Sequence, residues 1–243
     1  MIAHPYLAPN MPFTFAHPAI ILPLTRTKYT SASALIIGSL TPDFECFIRM
    51  KAKSFYSHTS AGILYFDLPI AIVVFLSWNL LIKKTIIPNL PAALQKRISN
   101  TPYKSPYNWP IIVVSLIIGI CSHILWDSFT HTDGYFVKNM PLLSTQYHFI
   151  WTDKLYYWLR NVSSLLGIAF IIYVVKKQPS IFSTQNGSIW YWPLVSVFCL
   201  VAVCIRPVLH HDTLSYGDYF STLVAGLFIG LIIASLIFKP KQQ

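Results

Sequence analysis

Carboxylates are scarce in this chain. It holds eight Asp and Glu among 243 residues, and only 11% of its residues are charged, against about 25% in an ordinary soluble domain. With 54% hydrophobic residues and a mean hydropathy of +0.54, that scarcity excludes a soluble globular domain and points to an integral membrane protein. Cysteine is sparse too. Cys46, Cys121, Cys199 and Cys204 form no CxxC pair and three of them fall in apolar stretches, so they read as small buried hydrophobes rather than disulfides or zinc thiolates. No basic run is interleaved with exposed aromatics. The net charge of +10 therefore suits basic loops against anionic lipid headgroups and not a nucleic-acid partner. Internal repeats and low-complexity tracts are missing, as is a charged n-region followed by an apolar h-region, so no cleavable signal peptide is expected. Residues 1–10 read as an N-terminal extension, with Met11 of Met11-Pro12-Phe13-Thr14 as an alternative start, and 11–243 as a single membrane-embedded domain.

What is present is long apolar runs. A membrane-spanning helix needs about 20 mostly apolar residues, and the stretches 60–82, 109–130, 155–175, 189–209 and 218–238 qualify. Residues 17–40 are broken by Pro23, Arg26 and Lys28. They are expected to form two short helices, 18–24 and 31–40, re-entrant or packed against the bundle. The fold class is thus all-α, a polytopic helix bundle of about five spans. If 17–40 does not cross, one face receives only Lys and Arg: Lys83, Lys84, Lys96, Arg97 and Lys104 in 83–107, the longest polar connection there, then Lys176 and Lys177, then Lys239 and Lys241. Positive-inside logic makes that face cytoplasmic and puts the carboxylates outside the cell's inner membrane. Arg26, Lys28, Arg49, Lys51 and Lys53 count against that orientation.

The carboxylates and histidines gather on the other face or its approaches. His17 opens a short apolar helix. Asp43 and Glu45 follow Pro42, and His58 stands at the mouth of the first span in Tyr56-Ser57-His58-Thr59. His123, Asp127 and His131 are spaced four apart, which on a helix stacks them on one stripe, each about 40° round and about 6 Å along from the last. Ionisable groups inside an apolar span are costly to hold in a bilayer and by default suggest a working site. Imidazole and carboxylate without thiolate form the ligand set of a hydrolytic zinc, manganese or iron site rather than of a structural zinc. His123 and His131 lie about 12 Å apart along the axis and could hardly share one ion. Two metals, or one metal and a general base, both stay open, as does an internally satisfied polar network. Asp67 and Asp218 read as snorkelling or helix-capping residues, His4 and His148 as ordinary hydrogen-bonded histidines, and His210-His211-Asp212 as a polar loop. Arg160 and Arg206 stand one turn inside span ends. There they suit either phosphate recognition or snorkelling to headgroups.

The order His17-Pro18, Gly38-Ser39-Leu40-Thr41-Pro42-Asp43-Phe44-Glu45, Ser57-His58-Thr59, Phe66-Asp67-Leu68-Pro69, then Ser122-His123 through Asp127 to Thr130-His131 resembles a bacterial family of multipass membrane proteins, domain of unknown function 4184, from Met11 onward. The chain is more distantly similar to bacterial inner-membrane metal-dependent hydrolases. Their Thr-His, Pro-Asp-x-Asp, Thr-His-Ser and Ser-His-x-x-x-Asp stand here as Ala16-His17, Pro42-Asp43-Phe44-Glu45, Ser57-His58-Thr59 and Ser122-His123 with Asp127. The family pattern also implies a His before Ser163-Ser164, where this chain has Asn161 and Val162. If that His is a ligand in relatives, this chain binds metal more weakly or has lost turnover.

The expectation is a membrane-embedded metal-dependent hydrolase of a lipid-like or amphipathic phosphoester or ester. Asp43, His58, His123, Asp127 and His17 would hold a divalent metal, zinc or manganese. His131 and Glu45 would act in catalysis, and Arg160 and Arg206 would bind an anionic substrate among the membrane lipids. A transporter or a metal- or proton-conducting protein, and a non-catalytic scaffold, are the alternatives. Transport usually brings internal repeats and polar groups at mid-membrane. Here there is no repeat, and the polar groups crowd one end.

Overall fold

A computed structural model describes residues 16–98, 108–150, 152–180, 186–209 and 214–238. His4, the 1–10 extension, Met11, Lys104, the His210-His211-Asp212 loop, Lys239 and Lys241 lie outside these residues. Among the described residues five helices are long and apolar enough to cross a membrane: Ile63–Asn89, Trp109–Asn139, Leu155–Lys176, Tyr191–Val208 and Tyr216–Ile237. They fall on the five runs read from the sequence.

The N-terminal piece is two short helices, as the prolines and charges require. Helix α1 is Pro18–Ile21, with Pro18 at the first position, where its fixed φ suits helix entry and its missing N–H costs nothing. A 3₁₀ turn over Leu22–Arg26 takes in Pro23. Helix α2, Ala32–Leu40, begins at Ser31, whose side chain accepts the Ala34 N–H. Pro42 cannot continue α2, and a 3₁₀ turn over Thr41–Asp43 leads into α3, Phe44–Arg49.

The first span runs past its expected end. It joins α4 (Leu68–Ser77) and α5 (Lys83–Ile86) through wide π-type turns at Ile63–Asp67 and Trp78–Ile82, and closes in a 3₁₀ turn over Ile87–Asn89. Pro69 explains the first wide turn, because it removes one i→i−4 donor and its ring crowds the preceding carbonyls. Lys83 and Lys84 stay helical since lysine is a good helix former whose long stem can carry its charge outward. The polar connection therefore starts only after Asn89, and it contains α6, Ala92–Ile98. The remaining helices are α7 (Trp109–Thr130), α8 (Tyr135–Asn139), α9 (Pro141–Ser144), α10 (Leu155–Lys176), α11 (Tyr191–Leu209) and α12 (Tyr216–Ile237). Before α10 a small hairpin that the sequence did not announce pairs β1 (Gln146–His148) with β2 (Thr152–Lys154), Tyr147 opposite Asp153. His148 is the ordinary histidine expected, its Nδ1 2.8 Å from Thr152 Oγ1.

The chain clusters into two compact units. The first takes residues up to Phe44, Ser54–Ala71 and Trp109–Ile172; the second takes Glu45–Lys53, Ile72–Asn108 and Tyr173 onward. In the first, α2 lies along α7. Glycines make this closeness feasible: a Cβ on Gly38 would overlap the Leu116 carbonyl, and one on Gly119 the Leu35 carbonyl and the Ser39 amide. In the second, α11 packs on α12 around Ile82, Tyr191, Val195, Leu231 and Ala234, with Thr85 donating to Ser235 at 2.6 Å. There Arg97 donates to the Lys176 and Gln178 carbonyls, satisfying the end of a helix that has run out of partners. Asp218 caps α12 as expected, through a reciprocal Ser215–Asp218 capping box and a bond from the Ala52 amide. Of the cysteines only Cys46 is buried; Cys121 and Cys204 are exposed on their helices. That corrects their reading as buried hydrophobes: an apolar span offers a thiol an outer surface as well as a core.

Candidate metal centre

The site is assembled from three pieces of the first unit. Helix α7 supplies His123 and Asp127, one turn apart and both buried. The 3₁₀ turn after α2 brings Asp43, 7% exposed. His58 arrives on a loop whose shape is local: Thr59 Oγ1 donates to the Tyr56 carbonyl and accepts the Gly62 N–H. His58 itself sits at φ 63°, a left-handed conformation that costs a non-glycine residue about 1–3 kcal/mol and tends to persist where function holds it.

These residues place four donor atoms together, all within 4.8 Å of one another. Asp127 Oδ2 lies 3.1 Å from His123 Nε2 and 3.2 Å from His58 Nε2. Asp43 Oδ1 lies 3.7 Å from His123 Nε2 and 3.9 Å from His58 Nε2. An ion held tetrahedrally at about 2.0–2.2 Å by nitrogen and oxygen sets its ligands roughly 3.3–3.6 Å apart. The observed separations bracket that edge length, so a buried pair of histidines and pair of aspartates could hold a metal ion.

The second contacts of these side chains favour ligation. His123 Nδ1 lies 2.7 Å from the Ser39 carbonyl oxygen, which can only accept, so Nδ1 carries a proton and Nε2 is the ring nitrogen left to face the carboxylates. Such backbone support orients metal-binding imidazoles and raises their basicity. His58 Nδ1 is 3.0 Å from Ser57 Oγ, a partner that can do the same. Asp43 Oδ2, His123 Nε2 and Asp127 Oδ1 are buried without a hydrogen bond, and buried polar atoms left in that state cost about 1–3 kcal/mol each.

Two more expected residues close in on Asp127 from its other oxygen. His17 Nε2 lies 3.5 Å from Oδ1, its ring stacked on that of His123 at 3.8 Å between centroids. His131 Nδ1 lies 3.4 Å from the same oxygen. Burial, with His123 beside it, lowers the pKa of His17 to about 3. Arg160 lines a cavity of about 300 Å³ together with His17, Trp126 and Thr130. Its guanidinium stands over the Tyr157 ring, and its Nη1 is buried without a hydrogen bond.

Glu45 and Arg206 belong to the second unit and are not among the four residues of this group. Glu45 is buried with Arg49 at 3.6 Å, one turn away. Arg206 is 4% exposed, so it does not snorkel. Asp67 is also fully buried, which corrects its reading as a snorkelling residue: the wide turn Ile63–Asp67 rotates it inward. Asn161 is exposed and outside the four-residue group. The contributions that sequence reasoning missed are the Ser39 carbonyl, which leaves no side-chain signal at all, and Ser57, visible only as a neighbour of His58.

Five apolar helices and a buried His/Asp group able to take a metal ion define a multi-pass membrane protein of helical class. The chain belongs to the family described as Domain of unknown function (DUF4184), whose profile matches residues 11–236. No curated protein and no solved structure matches it.

Proposed function

We propose that the chain is a membrane-embedded metal-dependent hydrolase acting on an amphipathic phosphoester or ester. The observation that carries the reading is the set of four donor atoms within 4.8 Å of one another: Asp43, His58, His123 and Asp127. Zinc or manganese fits a nitrogen and oxygen donor set without thiolate. Such an ion supplies Lewis acidity and a bound water that loses its proton near neutral pH.

The surrounding residues divide the remaining work. His17, kept neutral by burial, offers an imidazole rather than an imidazolium to the centre. His131, its side chain 14% exposed and set against Asp127, is the general base: a carboxylate partner orients the ring and stabilises the imidazolium formed when it accepts a proton. Arg160, with an unsatisfied N–H on the cavity wall, holds the anionic group of the substrate. Glu45 and Arg206 are not needed by this reading. The basic connections favour a catalytic face on the outer side of the cell's inner membrane.

The test is phosphate release by detergent-purified protein loaded with zinc or manganese, screened against phospholipids and single-chain alkyl and polyprenyl phosphates. Turnover by the wild type and none by Asp127→Asn is expected. No turnover of any substrate class with any divalent ion overturns the reading.

A further inference from the structure

The cavity beside the centre is lined by both apolar and polar side chains. Leu166, Phe170, Ile20 and Ala19 give it an apolar stretch, while Arg160 and His17 stand on the same wall. Its volume, about 300 Å³, lies at the small end of ligand pockets, which run roughly 300–1,000 Å³. Two acyl chains need more room than that. Arg160 has no carboxylate within ion-pair distance among the described residues, and its Nη1 is buried without a hydrogen bond. A guanidinium inside an apolar span is expensive unless something anionic meets it. Ser163 and Ser164, also on the wall, spend their hydroxyl protons on the Arg160 carbonyl at 3.1 and 2.7 Å, which leaves the guanidinium as the charged donor facing the cavity.

We infer that this cavity binds the chain of a single-chain anionic amphiphile, an alkyl or isoprenyl monophosphate, with its phosphate on Arg160. The inference deepens the proposed hydrolase by naming its substrate class. It rests on that reading for turnover but not for binding. His17 joins the two places, since it lines the cavity and also faces Asp127 Oδ1. Ala19 is the specificity-determining position, because a larger side chain there takes space from the hydrocarbon.

The experiment uses the full chain in phosphatidylcholine nanodiscs, titrated with dodecyl phosphate brominated at the chain end. Bromine quenches indole emission on contact, and Trp126 lines the cavity. Saturable quenching in the wild type that disappears in Trp126→Phe is expected. Arg160→Gln should raise the dissociation constant roughly ten- to a hundred-fold, the worth of a charge-assisted bond. Ala19→Leu should weaken the dodecyl compound while sparing butyl phosphate as a competitor. Equal binding of dodecyltrimethylammonium, competition by inorganic phosphate as strong as that by dodecyl phosphate, or equal binding of a two-chain phosphatidate would each overturn the inference. Metal content measured on the same samples separates the two ideas. Metal without dodecyl phosphate binding removes this inference and leaves the hydrolase; dodecyl phosphate binding without metal does the reverse.

Discussion

Removing His123 is the sharpest perturbation of the centre. The ring contributes Nε2 to Asp127 at 3.1 Å and to Asp43 at 3.7 Å, and it is fully buried with Nδ1 on the Ser39 carbonyl. Four-ligand zinc sites bind with about 10–16 kcal/mol. If the ligands share that evenly, His123→Ala forfeits about 2.5–4 kcal/mol, or roughly 10²- to 10³-fold in affinity. Asp127→Asn should lose at least as much, because the same oxygen serves His58 and the negative charge goes with it. Neither change should block insertion, since replacing an ionisable group within a span lowers the insertion cost. The assay is zinc competition against a chromophoric chelator in detergent, with expression and helical content measured in parallel. Were the group only a polar network, His123→Ala would cost stability, about 1–3 kcal/mol for the lost bonds, and leave metal content where it was. Unchanged zinc affinity in both variants would refute the site as drawn.

Gly119→Ala should force α2 away from α7, since its Cβ would meet the Leu35 carbonyl and Ser39 amide; about 1–3 kcal/mol of thermal stability and a 10- to 100-fold fall in zinc affinity are expected, the second because Ser39 orients His123. His17 gives a pH signature. Its folded pKa, lowered to about 3 by burial and by His123, lies below the ordinary 6.5, so the unfolded chain binds the extra proton between those values and stability should fall as pH drops through 6.5 toward 3. Thermal unfolding of the metal-free protein across that window should show a shallower decline in His17→Gln. In a cysteine-free background, Asp133→Cys should label in intact cells and Lys177→Cys only after permeabilisation; the reverse would invert the orientation and leave the centre intact.

Most of the architecture was legible because a bilayer demands long apolar helices and little else resembles them in a sequence. The ends were less so. The Lys83-Lys84 pair was read as the start of a polar connection, yet the lysine stems let the helix continue to Asn89. The stripe His123, Asp127, His131 was readable from spacing alone, because four residues is one helical turn. Asp43 and His58 were readable only as types, since their approach to His123 depends on how α2 crosses α7. Glu45 was coupled to Asp43 by proximity in sequence. Two positions on in a helix point to different sides, and Glu45 lies 3.6 Å from Arg49 one turn on. The tautomer of His123 was not legible at all, because a backbone carbonyl sets it.

The case for a cation rather than a self-satisfied network turns on the two carboxylates. Asp43 Oδ1 and Asp127 Oδ2 both address His58 Nε2 and His123 Nε2, so two anions draw on the same two nitrogens. The ring nitrogen of His123 that faces them has no hydrogen bond, although Nδ1 of the same ring is well supported. A network selected for stability alone would spread its donors, because burying two carboxylates side by side costs several kcal/mol unless positive charge lies between them. The remaining histidines, His17 and His131, stand against Asp127 Oδ1 and not in the gap between the carboxylates. A divalent ion bound by both imidazoles and both carboxylates would neutralise the pair and use the lone pair that the Ser39 carbonyl directs inward. The same logic sets the expected difference between two conservative variants. Asp43→Asn should weaken metal binding less than Asp127→Asn, since Asp43 lies farther from both nitrogens and Asp127 alone anchors His17 and His131. Equal losses would mean that the ion sits midway between the carboxylates rather than toward α7.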